Sequence, residues 1–368
     1  MPRVRSLVHP ANLFRIAGFL TVWVALHLYA ARPLLVAAAA EGIRPLIAWS
    51  VVLVLPFVSI LPVIARRSPA VQWIGYGTMS LLSMLLVLGL TSDLLRLTLL
   101  ISARTVSLAT IGAAALLAVI GFIQARRPRV VEIEIAAPLD YRIVQWSDVH
   151  IGPTIQRGFV ESLVERTNAL NADAIVITGD LVDGDRDGLR DAIEPLRGLS
   201  ARDGVFVVTG NHEYYWRASE WIREFERLGL TFLENEHRVI NDRLVIAGVT
   251  DPAGQKPDAA AALEGAPNTF RVLLAHRPQV ANAASKLGVN LQLSGHTHGG
   301  QFFPFNLLIR WFQPVVAGLH RIGDTLLYVS RGTGYWGPPS RLGVGGEITQ
   351  IDLVRDNGSK VRRGRVER

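Results

Sequence analysis

The chain contains no cysteine. That excludes disulfides, thiolate metal ligands and a cysteine nucleophile. Lysine is almost missing as well. Lys256, Lys286 and Lys360 are the whole supply, so the net charge of +7 comes from arginine. Tyr214, Tyr215 and Trp216 form an aromatic run, but no Lys/Arg run accompanies it. A basic groove that stacks nucleic-acid bases therefore lacks its charge. Long apolar runs are missing from everything after the first third.

That first third is where the 49% hydrophobic content of the 368 residues concentrates. Four apolar runs cover residues 12–31, 46–65, 71–91 and 105–125. Each approaches the ~20 residues needed to cross a bilayer as a helix. None has a polar face, which argues against a buried soluble bundle. Trp23, Trp49, Trp73 and Tyr76 are interface anchors in this reading. The first run is too long for a signal peptide and is read as retained. His27 is the one titratable side chain near the middle of a run, and a packing or hydrogen-bonding role is expected for it.

Arginine sets the expected orientation. Arg3, Arg5, Arg66, Arg67, Arg126, Arg127 and Arg129 fall on one side of the four spans, and Arg32, Arg44, Arg96 and Arg104 on the other. The richer side is cytoplasmic, so an integral membrane protein of the cell membrane with its C-terminal domain in the cytoplasm is expected. The organisation read from sequence is a four-helix transmembrane region over 1–128, a domain over 129–355, and a basic disordered tail over 356–368.

After Pro128 the pattern becomes α/β. Strands are expected at 142–146, 174–178, 205–209, 244–249, 272–275, 291–293, 326–330 and 348–353. Helices are expected at 159–170, 189–196 and 220–228. Alternation of this kind predicts an α/β sandwich. Polar clusters follow the strands, and in such folds sites form outside the carboxyl ends of strands.

The first cluster is Asp148-Val149-His150. Residues two apart in an extended chain share a face, so both can hold one ion. The second is Gly179-Asp180, where the glycine permits a sharp turn. The two oxygens of Asp180 suit it to bridge two cations. Gly210-Asn211-His212-Glu213 supplies a neutral amide oxygen and an imidazole. His276 stands alone before Pro278. Gly295-His296-Thr297-His298-Gly299-Gly300-Gln301 carries the strongest signal, a His-x-His pair between glycines. Alone, most of these residues would be ordinary turn or core residues. Yet five of the nine histidines fall in such clusters, each after an apolar strand, and that order is not expected of scattered core residues.

Taken in order, the five blocks closely resemble the calcineurin-like metallophosphoesterase superfamily. The extended Gly-His-Thr-His-Gly-Gly-Gln block and the run from Gly332 to Leu342 leading to Glu347 resemble its bacterial membrane-associated branch. The resemblance implies a two-sheet α/β sandwich and two divalent ions. One ion would be held by Asp148, His150, Asp180 and His298, the other by Asp180, Asn211, His276 and His296. His212 would not be a ligand. It would lie over the scissile phosphate and stabilise or protonate the leaving oxygen. Imidazole and oxygen ligands without thiolate suit Mn, Fe or Zn. The reaction implied is hydrolysis of a phosphate ester or pyrophosphate by metal-activated water.

The motifs do not choose the ester. Phe302-Phe303-Pro304-Phe305 and the apolar stretch 307–312 either lie on the bilayer, admitting a lipid-linked phosphate, or pack as a buried flap. Arg331 and Arg341 are candidates for phosphate or carboxylate contacts, with surface salt bridges as the default. Two other readings stand beside the enzyme: a membrane sensor or scaffold with a non-catalytic metal site, and a nucleotide or nucleic-acid phosphodiesterase.

Overall fold

The computed structural model describes residues 10–66, 68–96 and 101–355, with side chains from Phe14 onward. The basic tail and part of the arginine pattern (Arg3, Arg5, Arg67) lie outside the described residues. The chain divides into two compact units at Ile120 and Gly121.

The first unit is helical. Helices α1 (Pro10–Ala40), α2 (Pro45–Ile64), α3 (Pro69–Arg96) and α4 (Ala103–Arg126) are each long and apolar enough to cross a membrane. Their outward residues, Phe14, Leu46, Phe57 and Ile64 among them, are exposed. Small and polar residues such as Ala30, Ala31, Ser59 and Ser80 are buried. Packing of that kind suits helices in hydrocarbon, where close backbone approach replaces hydrophobic drive. His27 does what was expected of it. Its ring bonds Trp23 O at 2.7 Å and Ser59 Oγ at 2.9 Å, tying α1 to α2. The first span is longer than its apolar run, because Pro33 lies inside α1 without ending it. Arg32 is thus helical rather than in a loop, and its charge is met by Asp93 of α3 at 2.5 Å.

The second unit contains two six-stranded sheets. The first runs β1 (Arg129–Ala137), β12 (Glu347–Arg355), β2 (Tyr141–Trp146), β3 (Ala174–Thr178), β4 (Val205–Val208) and β5 (Thr231–Phe232). In the second the order is β10 (Gly318–Ile322), β11 (Thr325–Val329), β9 (Leu291–Ser294), β8 (Phe270–Leu274), β7 (Leu244–Gly248) and β6 (Glu236–Ile240). Strands β2 to β5 are parallel, as are β7, β8, β9 and β11. Antiparallel partners close three other pairings: β12 on β2, β10 on β11 and β6 on β7.

The central strands read as continuous apolar runs because both faces are covered. In β3, Ala174 and Val176 point between the sheets, where they meet Leu244, Ile246, Val272, Leu274, Leu291 and Leu293. Ile175 and Ile177 point the other way. They pack under helices α5 (Arg157–Asn168), α6 (Arg186–Ile193) and α8 (Ala218–Arg227), which contribute Phe159, Leu163, Leu189, Ile193, Trp221 and Phe225. The short helix α7 (Asn211–Tyr215) follows β4 directly. Four strands escaped the sequence reading: β1, β5, β6 and β10. Three of them edge a sheet, and the fourth, β10, does too; edges need no apolar alternation on the side that meets water.

Trp221 is fully buried and stacks on Phe225 with ring centroids 5.2 Å apart. Trp221→Ala is expected to cost about 3–5 kcal/mol. Thermal unfolding checks this, with a melting temperature lowered by on the order of 10 °C.

Candidate metal centre

The parallel strands of both sheets deliver their carboxyl ends to one place. Asp148 and His150 follow β2, Asp180 follows β3, Asn211 and His212 follow β4, His276 follows β8, and His296 and His298 follow β9. All eight side chains come together.

Two groups of donor atoms form. In the first, His298 Nε2 lies 3.2 Å from Asp148 Oδ1 and 3.1 Å from His150 Nε2. In the second, His276 Nε2 lies 3.3 Å from Asp180 Oδ2, 3.3 Å from Asn211 Oδ1 and 3.1 Å from His296 Nδ1. Asp180 Oδ2 also faces His150 Nε2 at 3.8 Å, so it stands between the groups. Asp148 with His150 and His298, and Asp180 with His276 and His296, both converge tightly enough to hold a metal ion. His212 forms a third such group with His150 and Asp180. Nitrogen and oxygen donors without sulfur fit a divalent cation of the transition series.

The sites are almost dry. Asp148 is 0% and Asp180 2% exposed. Burial alone would raise both carboxyls, but the facing imidazoles outweigh it and hold both below the usual range. Burial pulls His276 down, and the Asp180 carboxylate beside it wins, lifting it to about 10. His150 and His296 go the other way. Burial, reinforced by neighbouring imidazoles, lowers them to about 3 and about 4. The backbone helps to hold the charges: His296 N donates to Asp148 and His212 N donates to Asp180 Oδ1 at 2.8 Å. Ser147 Oγ donates to Asp148 Oδ2. His276 Nδ1 is 2.8 Å from Thr178 O and donates to it, so a metal displacing the Nε2 proton that faces Asp180 would find the Nε2 lone pair aimed into the cluster.

The reason first given for pairing Asp148 with His150 fails. The chain is not extended there. Asp148 has φ 50°, His150 54°, Asp180 52°, His296 73° and His298 52°, all in the left-handed region. Each residue therefore turns the chain at a strand tip, and the side chains meet through turns. Gly179, at φ 88°, makes the sharp turn expected of it, and close packing is a second reason for a glycine there. A Cβ there would lie 2.6 Å from Gly210 N and 2.7 Å from His276 Nδ1.

Several supporting residues were not assigned from sequence. The Glu213 carboxylate accepts from Asp180 N, Leu181 N, Val182 N and Gly210 N, clasping the β3 and β4 loops together. Burial and the Asp180 charge push it up to about 6. Asp183 accepts from His212 Nδ1 at 3.0 Å and from Trp216 Nε1 at 2.9 Å. Its position three residues after Asp180 was the available signal. Arg341 is no surface salt bridge. It is fully buried, donates to the Gly334 and Arg331 carbonyls at 2.6 Å each, and sets Nη2 3.3 Å from His298 Nδ1. A guanidinium inside a loop of carbonyl oxygens satisfies its donors without any carboxylate.

The mouth is aromatic. Tyr215 and Trp336 are exposed, with ring centroids 5.1 and 5.7 Å from that of His212. Trp336 is tied to Gln301 by reciprocal bonds of 2.7 and 3.0 Å. Beyond Gln301, the buried-flap reading is overturned. Leu307, Trp311 and Phe312 are 66%, 80% and 67% exposed, and Ile309 is the buried apolar member.

A folded chain that binds a cation gains stability by mass action, about 2.7 kcal/mol at a hundredfold excess over Kd. Adding Mn²⁺ or Zn²⁺ to chelator-stripped protein is expected to raise the melting temperature by roughly 5–10 °C. Asp180→Asn is expected to abolish most of that rise, as read by differential scanning calorimetry.

Comparison with known proteins places this arrangement. The calcineurin-like phosphoesterase family matches residues 141–300. A bovine transmembrane protein with metallophosphoesterase domain is 41% identical over 233 residues, covering 58% of this chain and 52% of its own length. This chain thus spans about half of that relative. An uncharacterised metallophosphoesterase of Aquifex aeolicus is 34% identical over 212 residues, covering 55% of this chain and 81% of its own. One from Bacillus subtilis is 30% identical, with 59% and 80% covered. With its fold, its cluster of Asp and His residues and these relatives, the chain belongs to the calcineurin-like metallophosphoesterase family.

Proposed function

We propose that the chain is a membrane-anchored hydrolase of phosphate esters or pyrophosphates that holds two divalent ions and acts on an amphiphilic, lipid-linked substrate. One observation carries the two-ion reading: Asp180 Oδ2 faces an imidazole of each donor group. Asp148, His150, Asp180 and His298 would hold one ion, and Asp180, Asn211, His276 and His296 the other. When bound, Mn, Fe or Zn ions supply charge to the phosphate oxygens and acidify water. No protein nucleophile is then needed.

The remaining chemistry belongs to His212. Burial pulls it down, but its hydrogen bond to Asp183 and the charges of Asp180, Asp183 and Glu213 together outweigh this and raise it above its ordinary value. The Nδ1 proton is committed to Asp183. Nε2 is left to carry a second proton to the leaving oxygen. Because Asp180 Oδ1 accepts from the His212 backbone, the acid is fixed to the same carboxylate that lies between the donor groups.

Support for an amphiphilic substrate comes from the mouth. Tyr215 and Trp336 flank His212, and the exposed apolar segment follows from Gln301. Such a rim suits a polar head that enters and an apolar body that stays outside. The arginine asymmetry supports a cytoplasmic catalytic domain at the cell membrane.

A metal-reconstituted panel tests the substrate: an aryl monoester, an aryl diester, a phospholipid and a lipid-linked pyrophosphate. The lipid-linked members are expected to give the highest kcat/KM. Activity confined to soluble monoesters would overturn the lipid preference. His212→Ala is expected to lower kcat by about 10²–10⁴-fold with metal content unchanged. The acid form of His212 exists below its pKa, so kcat falls as pH rises through it. Asp183→Asn removes the carboxylate that raises it, and the alkaline limb of the kcat profile is expected to move to lower pH.

A further inference from the structure

The segment that follows Gln301 leaves large apolar side chains uncovered. It forms a short helix, Phe305–Leu308, and a single turn, Ile309–Trp311. Phe305, Leu307, Leu308, Trp311 and Phe312 are exposed, and the rings of Phe305 and Phe312 stack with centroids 6.0 Å apart. We propose that this segment lies in the interfacial layer of the same bilayer that α4 crosses, so that the second unit rests on lipid beside its mouth.

The backbone of the segment is held in place. Ile309 is buried. A Cβ on Gly300 would lie 2.8 Å from Asn306 Cα and 2.8 Å from Ile309 Cγ2, so the segment is pressed onto the chain two residues beyond His298. Asn306 N donates to Phe302 O at 3.1 Å, and Phe312 N to Ile309 O at 2.9 Å. A fixed segment that still displays five apolar side chains is a surface built to meet something.

Its connections point to the bilayer. Asn306 Nδ2 donates to Leu342 O at 3.0 Å. The residues on either side of Leu342 are bonded to α4: Arg341 N donates to Gly121 O at 3.0 Å, and Gly343 N to Gln124 Oε1 at 3.0 Å. A Cβ on Gly121 would lie 2.5 Å from Ser340 Oγ, so only a glycine lets the loop come this close. Residues 121–126 of α4 belong to the second unit, and these bonds lie within it. Helix α4 is long and apolar enough to cross a membrane. Arg126 ends it and Arg127 and Arg129 follow, marking where the hydrocarbon stops. The exposed segment is therefore one loop away from the point where the chain leaves the bilayer. Trp, Phe and Leu on a short helix are the side chains that settle at headgroup level. Because the span tethers the segment, its contact with lipid is in effect intramolecular, and a small apolar area suffices. Gln301, at the root of the segment, is bonded to Trp336 of the mouth. On the hydrolase reading, a lipid-borne phosphate would then reach the centre without leaving the membrane. That consequence rests on the hydrolase reading; the contact with lipid does not.

The chain has no cysteine, so a single introduced one can be labelled uniquely. Leu307→Cys and Phe312→Cys, each carrying an environment-sensitive fluorophore, are compared with Val239→Cys at an exposed position of β6. Each full-length protein is placed singly in lipid nanodiscs of phosphatidylcholine and phosphatidylglycerol, without substrate. Quenching by a nitroxide attached to the lipid near its headgroup is expected to be several-fold stronger at 307 and 312 than at 239, and quenching by aqueous iodide several-fold weaker. Labels at 307 and 312 as open to iodide as the label at 239 overturn the proposal. Protection that appears only with two copies per disc overturns it too, and assigns the face to a second copy of the chain. An unlabelled measurement guards against a label that disturbs the fold. In discs of brominated lipid, a smaller share of the tryptophan fluorescence is expected to be quenched in Trp311→Phe than in wild type, and an unchanged share overturns the proposal. No readout needs turnover, so the surface is decided even where no ester is hydrolysed.

Discussion

Two buried carboxylates govern the second unit. Asp148 and Asp180 lie where water does not reach, and removing such charges from water costs several kcal/mol each. The fold meets that cost from three directions. Backbone N–H groups of His212 and His296 donate to them. Imidazoles from three loops face them. A cation held by the cluster would complete the set. Both sheets are needed, because the carboxylates come from β2 and β3 and the imidazoles of His276, His296 and His298 from β8 and β9. The contact between two sheets of opposite sequence origin is what makes the site, and the apolar layer between them makes the contact possible.

The backbone bears a second cost. Five residues of the cluster adopt left-handed φ without being glycine. Each such residue costs of order 1–3 kcal/mol unless its surroundings over-determine it. The surroundings here do. Glu213 receives four backbone amides from two loops, and Arg341 gathers carbonyls from two stretches of the third. These two buried ionic residues do not belong to the groups of converging donor atoms. They fix the turns that aim those that do.

This division explains what was legible in the sequence. Strand β3 was read to its residue limits, and β2, β4, β7, β8, β9, β11 and β12 to within a few residues, because central strands must be apolar on both faces. The cluster was legible because each polar block breaks an apolar run. What was hidden depends on contacts between distant segments. No local pattern announces a left-handed aspartate, and Asp148 and His150 were wrongly taken as extended. Arg341 looks like a surface residue until the loop of carbonyls around it is known. The edge strand β6 carries Glu236, His237 and Arg238, a polar run that only its pairing with β7 identifies as a strand.

The two halves of the centre are not held alike. His276 Nδ1–H donates to the Thr178 carbonyl, so its ring is oriented with Nε2 inward. His298 turns its Nδ1 toward Arg341, and a guanidinium offers only donors. That contact is a hydrogen bond only in the tautomer with the proton on Nε2, 3.2 Å from Asp148 Oδ1; a metal held by Nε2 would move the proton to Nδ1 and end it. A carbonyl therefore orients one ring and a buried cation the other. The cation also lies near Asp148, whose charge opposes the loss that burial inflicts on the guanidinium, lowered to about 10 by its desolvation. The same arginine belongs to the loop that carries Trp336 and donates to that loop's own Arg331 carbonyl. One loop after β11 thus sets a ring of the centre and part of the aromatic mouth. The His298 ring and the aromatic mouth are coupled through that loop, while the β3 and β4 loops clasped by Glu213 carry His212 and Asp180.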